Sequence, residues 1–251
     1  MNMHTNSKGE IQEEQYDFPY HFIPEVENDA IVANRFLQWS MAYMGYISLV
    51  KDDLLKTNAQ NIIDVGCGDG RMLYELERSD PERKYTGIDI SERALHFARG
   101  FTRHSKFEIF DVIESPYQFE FDACTYIETI EHIPPEKIKI MMSNIAKSLK
   151  KDGILYLTTP TTNITTSAKH YQHFDLEKIK MYLDDSFEIV EVQYLNKENW
   201  LSKTLARLLV NKAVSVNLFF YRKLIFKLYN QHCLHGHEKT GSRIYVKARR
   251  K

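Results

Sequence analysis

The chain has 251 residues, 43% of them hydrophobic, and its 33 Lys and Arg balance 34 Asp and Glu to a formal net charge of −1. That is enough apolar material to bury a full core, and it points to one domain with additions. No window reaches the eighteen or so uninterrupted apolar residues of a membrane span, and the polar residues 1–15, with Glu10, Glu13 and Glu14, lack the apolar centre of a signal peptide.

From residue 16 to 56 the chain carries Phe22, Phe36, Trp39, Tyr43 and Tyr46, enough for one or two packing helices. Strands then alternate with helical patterns. Residues 61–65 form the first strand and 71–78 the first helix. Residues 84–89 form the second strand, and Ser91 caps a helix to about 102 with Ala94, Leu95 and Ala98 on one face. Residues 106–110 are a third strand ending at Asp111, 121–127 a fourth, and 135–149 a helix with proline in its first turn. A turn at 151–153 leads into the fifth strand, 154–159. Asp175 caps a helix through 183, and 187–195 and 243–248 alternate as further strands. This order predicts an α/β, doubly wound, mostly parallel sheet with helices on both faces.

Residues 199–237, between the last two strands, read as two basic helices. From residue 196 to 251 there are thirteen Lys or Arg against Glu198 and Glu238, a local balance of +11, so the preceding part carries −12. Either this segment faces a phosphate, nucleotide or membrane headgroup, or it is a solvated charged face. Its leucines pack onto the domain or a partner subunit, or else form an amphipathic membrane-surface helix. The expected organisation is a tail and helical cap over 1–56 and a main domain over 57–251, including the basic helical insertion 196–240. Cys67, Cys124 and Cys233 are too few and scattered for a disulfide framework or a metal knuckle, which suits a reducing cytoplasm.

The first strand ends in Asp64-Val65-Gly66-Cys67-Gly68-Asp69-Gly70 and opens onto the helix from Arg71. Glycines turn the chain sharply and let a ligand approach amide N–H groups that a Cβ would shield, so this loop reads as a nucleotide cradle. The dinucleotide fingerprint needs its third glycine at position 71, where Arg71 stands, which argues against NAD. The second strand ends in Asp89, whose carboxylate can accept hydrogen bonds from both hydroxyls of an adenosine ribose. The plain alternative is a glycine turn beside a solvated carboxylate.

Together these motifs resemble the class I S-adenosylmethionine-dependent methyltransferases, whose first motif reads acid-x-Gly-x-Gly-x-Gly and whose second strand ends in an acid. The resemblance runs from about residue 60 to residue 192. It implies a seven-stranded Rossmann-like sheet whose last two strands form an antiparallel pair. It also implies S-adenosyl-L-methionine as cofactor, with Gly66, Gly68 and Gly70 at its methionyl and ribose parts, Asp64 near the amino end and Asp89 at the ribose. Cys67, Ile90 and Ile127 join the cofactor-binding set, and Asp111 sits where similar enzymes contact the adenine amino group, or is a simple strand-end residue. Cys67 is a small side chain that fits the loop, with no nucleophilic role.

The fourth strand ends in Glu128-Thr129-Ile130-Glu131-His132, on the rim where doubly wound sheets bind ligands, and Lys169-His170-Tyr171-Gln172-His173-Phe174 follows the fifth. Two carboxylates and one or two imidazoles on one rim suit magnesium or manganese, with Glu128, Glu131, His132 and His170 as ligands. Such an ion would lower the pKa of an acceptor hydroxyl. The pattern is similar to the small-RNA 2′-O-methyltransferases of the Hen type, which add a His-x-x-His segment like His170 and His173, and to ubiquinone-pathway O-methyltransferases. Without a metal, Glu131 braces the loop and His132 touches substrate or acts as base. The catalytic candidates are therefore His132, Glu131, His170 and His173. Thr158, Thr159, Thr161, Thr162 and Asn163 make a hydroxyl-rich rim or merely a turn. Residues 20–24, Tyr-His-Phe-Ile-Pro, resemble the lead-in of bacterial methyltransferases of surface-polysaccharide synthesis, which would bring His21 to the site.

The resulting expectation is a cytoplasmic O-methyltransferase for a small polar, anionic acceptor such as a nucleotide-linked or phosphorylated sugar precursor. Modification of an RNA 3′ terminus is the second reading, although the acidic first part of the chain makes a long RNA track unattractive. A non-catalytic cofactor-binding subunit of a biosynthetic assembly is the third.

Overall fold

In the first buried strand of the main sheet, Asn61–Val65, successive side chains enter opposite cores: Ile62 joins one apolar cluster while Ile63 and Val65 join the other. The computed structural model describes residues 25–27, 30–32, 34–211, 216 and 218–251, with side chains from Ser40 onward. In chain order the elements are β1 (Glu25–Glu27), β2 (Ala30–Val32), α1 (Asn34–Leu55), β3 (Asn61–Val65), α2 (Arg71–Ser79), β4 (Lys84–Asp89) and α3 (Glu92–Phe101). They continue with β5 (Lys106–Ile109), β6 (Phe121–Ile127), α4 (Pro135–Lys147), β7 (Leu149–Pro160), α5 (Leu176–Leu183) and β8 (Phe187–Lys197). The last three are α6 (Trp200–Leu209), α7 (Phe219–His232) and β9 (Gly241–Arg250).

Seven strands form one sheet in the order β5-β4-β3-β6-β7-β9-β8. The first five pair in parallel, whereas β9 runs antiparallel to both β7 and β8. Sheet order reverses direction beside β3, so the C-terminal ends of β3 and β6 open a crevice there. Helices cover both faces. Tyr46, Ile47, Val50 and Leu54 of α1 share a core with Leu73 and Leu76 of α2 and Leu95 of α3, while Ile138 and Met142 of α4 and Ile179 of α5 fill the other side. Ser91 Oγ accepts from Ala94 N at 3.1 Å and Asp175 Oδ1 from Lys178 N at 2.8 Å, the two caps expected from the sequence.

Among the described residues the cap contains one helix, α1, preceded by the short antiparallel pair β1 and β2. One expectation needs correction. The fifth strand begins at Leu149, five residues early, because pairing with β6 resumes across an irregularity: Phe121 faces Leu149 and Ala123 faces Ile154. Asp152 takes φ 62° in that irregularity, and a Cβ on Gly153 would stand 2.8 Å from the Lys150 carbonyl, so the turn-forming residues bulge within a strand. Residues 20–24, with His21, lie outside the described residues. Among the described residues no helix is long and apolar enough to cross a membrane.

Candidate active site

A cavity of about 460 Å³ opens at the C-terminal ends of β3, β4 and β6, a size usual for a small-molecule or cofactor site. The glycine loop forms its floor. Gly66, Gly68 and Gly70 have φ of 68°, 53° and 78°, a region that L side chains enter only at a cost. At Gly66 a Cβ would lie 2.4 Å from Thr129 Cγ2, so the β3 loop and the β6 loop touch only because that side chain is missing. Gly66 and Gly68 line the cavity, but Gly70 does not; a Cβ there would meet Ala98 of α3 at 2.8 Å, so its work is helix packing.

Asp89 ties the loop to the second strand. Its Oδ2 accepts from Gly68 N at 2.8 Å and its Oδ1 from Ser91 N at 2.9 Å, which aims the carboxylate along the cavity edge beside the exposed Ile90. Asp64 is buried one strand in, accepting from Thr125 Oγ1 at 2.7 Å; burial, with the Asp89 charge adding, pushes its carboxyl up to about 7. Burial likewise lifts Asp69 to about 6 against the pull of Arg71. The Cys67 thiol lines the cavity, yet burial and then the Asp64 charge hold it far above its ordinary range, so it is no thiolate. Asp111 is on the wall and also closes its own turn, Oδ1 accepting from Ile113 N at 2.8 Å. Ile127, Phe110, Val112 and Met141 give the cavity its apolar surface.

The second cluster stands at the end of β6. Glu131 is buried in the 3-10 turn Ile130–His132, accepts from Thr159 Oγ1 at 3.1 Å, and is raised well above the usual carboxylate range by burial and then by the Glu128 charge. His132 Nδ1 lies 3.2 Å from the Lys169 carbonyl. A carbonyl only accepts, so Nδ1 carries a proton at that contact. By the same logic His173 Nδ1 donates to Ile164 O at 3.1 Å, and His170 Nδ1 donates to His173 Nε2 at 2.8 Å. Burial, helped by His132 and Lys169, pushes His170 down to about 3, and burial also lowers His173, so both are neutral near pH 7. The His132 and His170 rings meet edge to face at 4.8 Å.

The structure thus brings Glu131, His132 and His170 together, with one donor atom of each within 4.8 Å of the others. Glu128 does not join them. It sits on the cavity wall with φ 51°, and its carboxylate accepts from Arg243 Nε at 2.6 Å and Thr158 Oγ1 at 3.2 Å. Arg243 comes from β9, far away in sequence; burial works against its charge, but Glu128, Tyr46 and Glu131 hold it protonated. His173 is behind the wall, where it sets the tautomer of His170. Thr158 and Thr159 orient the two carboxylates and Thr161 donates to the Gly241 carbonyl, so these hydroxyls brace the site from within.

The one-oxygen, two-nitrogen set that remains does not match the oxygen shell of magnesium, and the expected second carboxylate is spent on a guanidinium. Lys169, whose ammonium is pulled down by burial, couples to Glu131 and Glu128 and adds another positive charge nearby. These residues therefore fit proton transfer better than the magnesium or manganese site expected from the motif. On the wall as a whole, carboxylates outnumber cations, which favours a positively charged ligand. Sequence reasoning missed Arg243, Lys169 and Asp69. Asp69, inside the glycine motif, and Lys169, at the head of the second rim segment, had local signals, whereas Arg243 had none.

Residues 56–209 match a family model described as a methyltransferase domain. Among curated proteins, malonyl-[acyl-carrier protein] O-methyltransferase of Acetivibrio thermocellus is 26% identical over 137 residues, 54% of this chain and 47% of that protein. Ubiquinone biosynthesis O-methyltransferase of Dechloromonas aromatica is 28% identical over 120 residues, 45% of this chain and 49% of that protein. The chain spans about half the length of these relatives. Among solved structures, N-methyltransferase NodS from Bradyrhizobium japonicum in complex with S-adenosyl-L-homocysteine superposes with a TM-score of 0.58 at 13% identity, covering 98% of this chain and 99% of that one. Magnesium protoporphyrin IX methyltransferase from Synechocystis with bound S-adenosylmethionine does so with a TM-score of 0.57 at 16% identity over the full length of both. At such identities the shared property is the fold.

Proposed function

This chain belongs to the methyltransferase-domain family, and from that premise we propose that it methylates a hydroxyl oxygen of a small polar acceptor, using S-adenosyl-L-methionine. The cofactor, when bound, supplies a methyl group on a sulfonium for in-line displacement. Its cationic sulfonium and ammonium suit a wall bearing Asp64, Asp69 and Asp89, and the glycine loop leaves the room a Cβ would fill. Asp89, held by two backbone amides, would take the ribose hydroxyls; Gly66 and Gly68 would flank the methionyl part. His132 Nε2 would receive the acceptor proton as the oxygen attacks, while neutral His170 and the raised Glu131 carboxyl keep water and stray charge from the reacting face.

The observation that carries this reading is the His132 imidazole on the cavity wall, oriented through Nδ1 by the Lys169 carbonyl and packed edge to face on His170. Nucleotide-linked and phosphorylated sugars are the first acceptors to test, because Lys169 on the wall would meet a phosphate. An RNA terminus is less favoured: of the basic residues from 196 onward, only Arg243 lines the cavity among the described residues, and Glu128 holds it. His132→Gln should lower kcat by about 10²–10⁴-fold while calorimetric affinity for S-adenosylhomocysteine stays unchanged. Full activity of that variant would remove His132 as base. Activity lost to a chelator and restored by manganese would instead favour a metal at Glu131, His132 and His170, and cofactor binding without turnover on sugars or RNA would favour a non-catalytic subunit.

A further inference from the structure

We infer that the outer faces of α6 and α7 form a docking surface for an anionic lipid bilayer. Their inner faces are already satisfied: Leu205 and Leu209 of α6 and Ile225 and Tyr229 of α7 bury against each other and against Met41 of α1. What remains outward is unusual for a solvated face. On α6, Trp200, Lys203, Arg207 and Leu208 recur at helical spacing and are all exposed. On α7, Phe220, Lys223, Leu224 and Lys227 repeat the pattern, with Leu218 and Phe219 exposed at the helix start. Trp200, Phe219 and Phe220 are 76%, 72% and 83% exposed. The two helices adjoin, since Tyr221 Oη donates to the Leu208 carbonyl at 3.3 Å, so the apolar side chains belong to one surface rather than to scattered positions.

Charge completes the argument. Residues 199–237 contain six Lys or Arg and no Asp or Glu. Among the described residues, Lys203, Arg207, Lys223 and Lys227 make no ion pair. Aromatic rings and leucines enter the acyl boundary of a bilayer while lysine stems lie along it and carry their ammonium groups to the headgroups. A nucleic acid would use the rings and cations but gives nothing to Leu208, Leu218 and Leu224. The two helices pack by their inner faces on α1, whose Tyr43 and Tyr46 line the cavity, so docking places the membrane one helix layer from the element that caps the site.

The test is vesicle sedimentation of the full chain. It should bind phosphatidylcholine vesicles containing phosphatidylglycerol, bind pure phosphatidylcholine far less, and be released by salt. Lys203→Ser and Lys223→Ser should each weaken binding about fivefold. Phe220→Ser with Leu224→Ser, on an exposed face, should weaken it at least about tenfold while leaving the thermal melt unchanged. No partition into anionic vesicles, equal partition into neutral ones, or wild-type binding by the double variant overturns the inference. So does capture of a single-stranded RNA oligonucleotide, or concentration-dependent dimerisation, without vesicle binding.

Discussion

Asp64 keeps a buried carboxyl beside the Thr125 hydroxyl and the Asp89 charge, and its titration should be visible in the stability of the whole chain. Its carboxyl is raised from 3.8 to about 7, so between these values the folded chain holds a proton that the unfolded chain has released. Stability from this residue is therefore full below about pH 4 and declines as pH rises to about 7, by up to about 4 kcal/mol. Asp64→Asn keeps the acceptor for Thr125 and should flatten that decline in urea denaturation series across the pH window. An unchanged pH profile would show that Asp64 is ionised in the free protein. Glu128 illustrates the opposite solution at the same scale. Its left-handed backbone and half-buried carboxylate persist because Arg243 and Thr158 both hold it.

Among the elements, the contact between the β3 loop and the β6 loop is the tightest in the site. Gly66→Ala would need both a positive φ and a Cβ 2.4 Å from Thr129 Cγ2. The variant should lose more than about 1 kcal/mol of stability and should bind S-adenosylhomocysteine at least about tenfold more weakly, because the loop must move from the cavity floor. Adding Thr129→Ala removes the nearest atoms and should restore part of the affinity; no recovery would mean that φ alone sets the cost. The same loops show why Gly70, which looks equivalent in the sequence, serves a different neighbour. It ends the turn against Ala98 of α3, outside the cavity.

Across the whole molecule, β9 is the strand that joins distant parts. It carries Arg243 to Glu128, and its Tyr245 Oη and Lys247 Nζ bond Asp53 of α1 at 2.7 and 2.9 Å, linking the cap helix to the antiparallel end of the sheet. Asp53→Ala should cost about 1–3 kcal/mol, because the buried Tyr245 hydroxyl loses its acceptor. A melt within error of wild type would place the hold of α1 on its apolar face alone. The sequence by itself determined the strand order of motifs, the helix caps at Ser91 and Asp175, the glycine loop and the acid at Asp89, because each is written within a few residues as period, capping chemistry or a required positive φ. The rim clusters near residues 128–132 and 169–174 were legible as chemistry but not as a site. Which groups would meet was decided only in the folded chain: Arg243, 115 residues from Glu128, takes that carboxylate and leaves Glu131, His132 and His170 grouped together on the rim. Local pattern encodes backbone geometry, whereas the partner of a buried charge is chosen by tertiary proximity, which no spacing along the chain records.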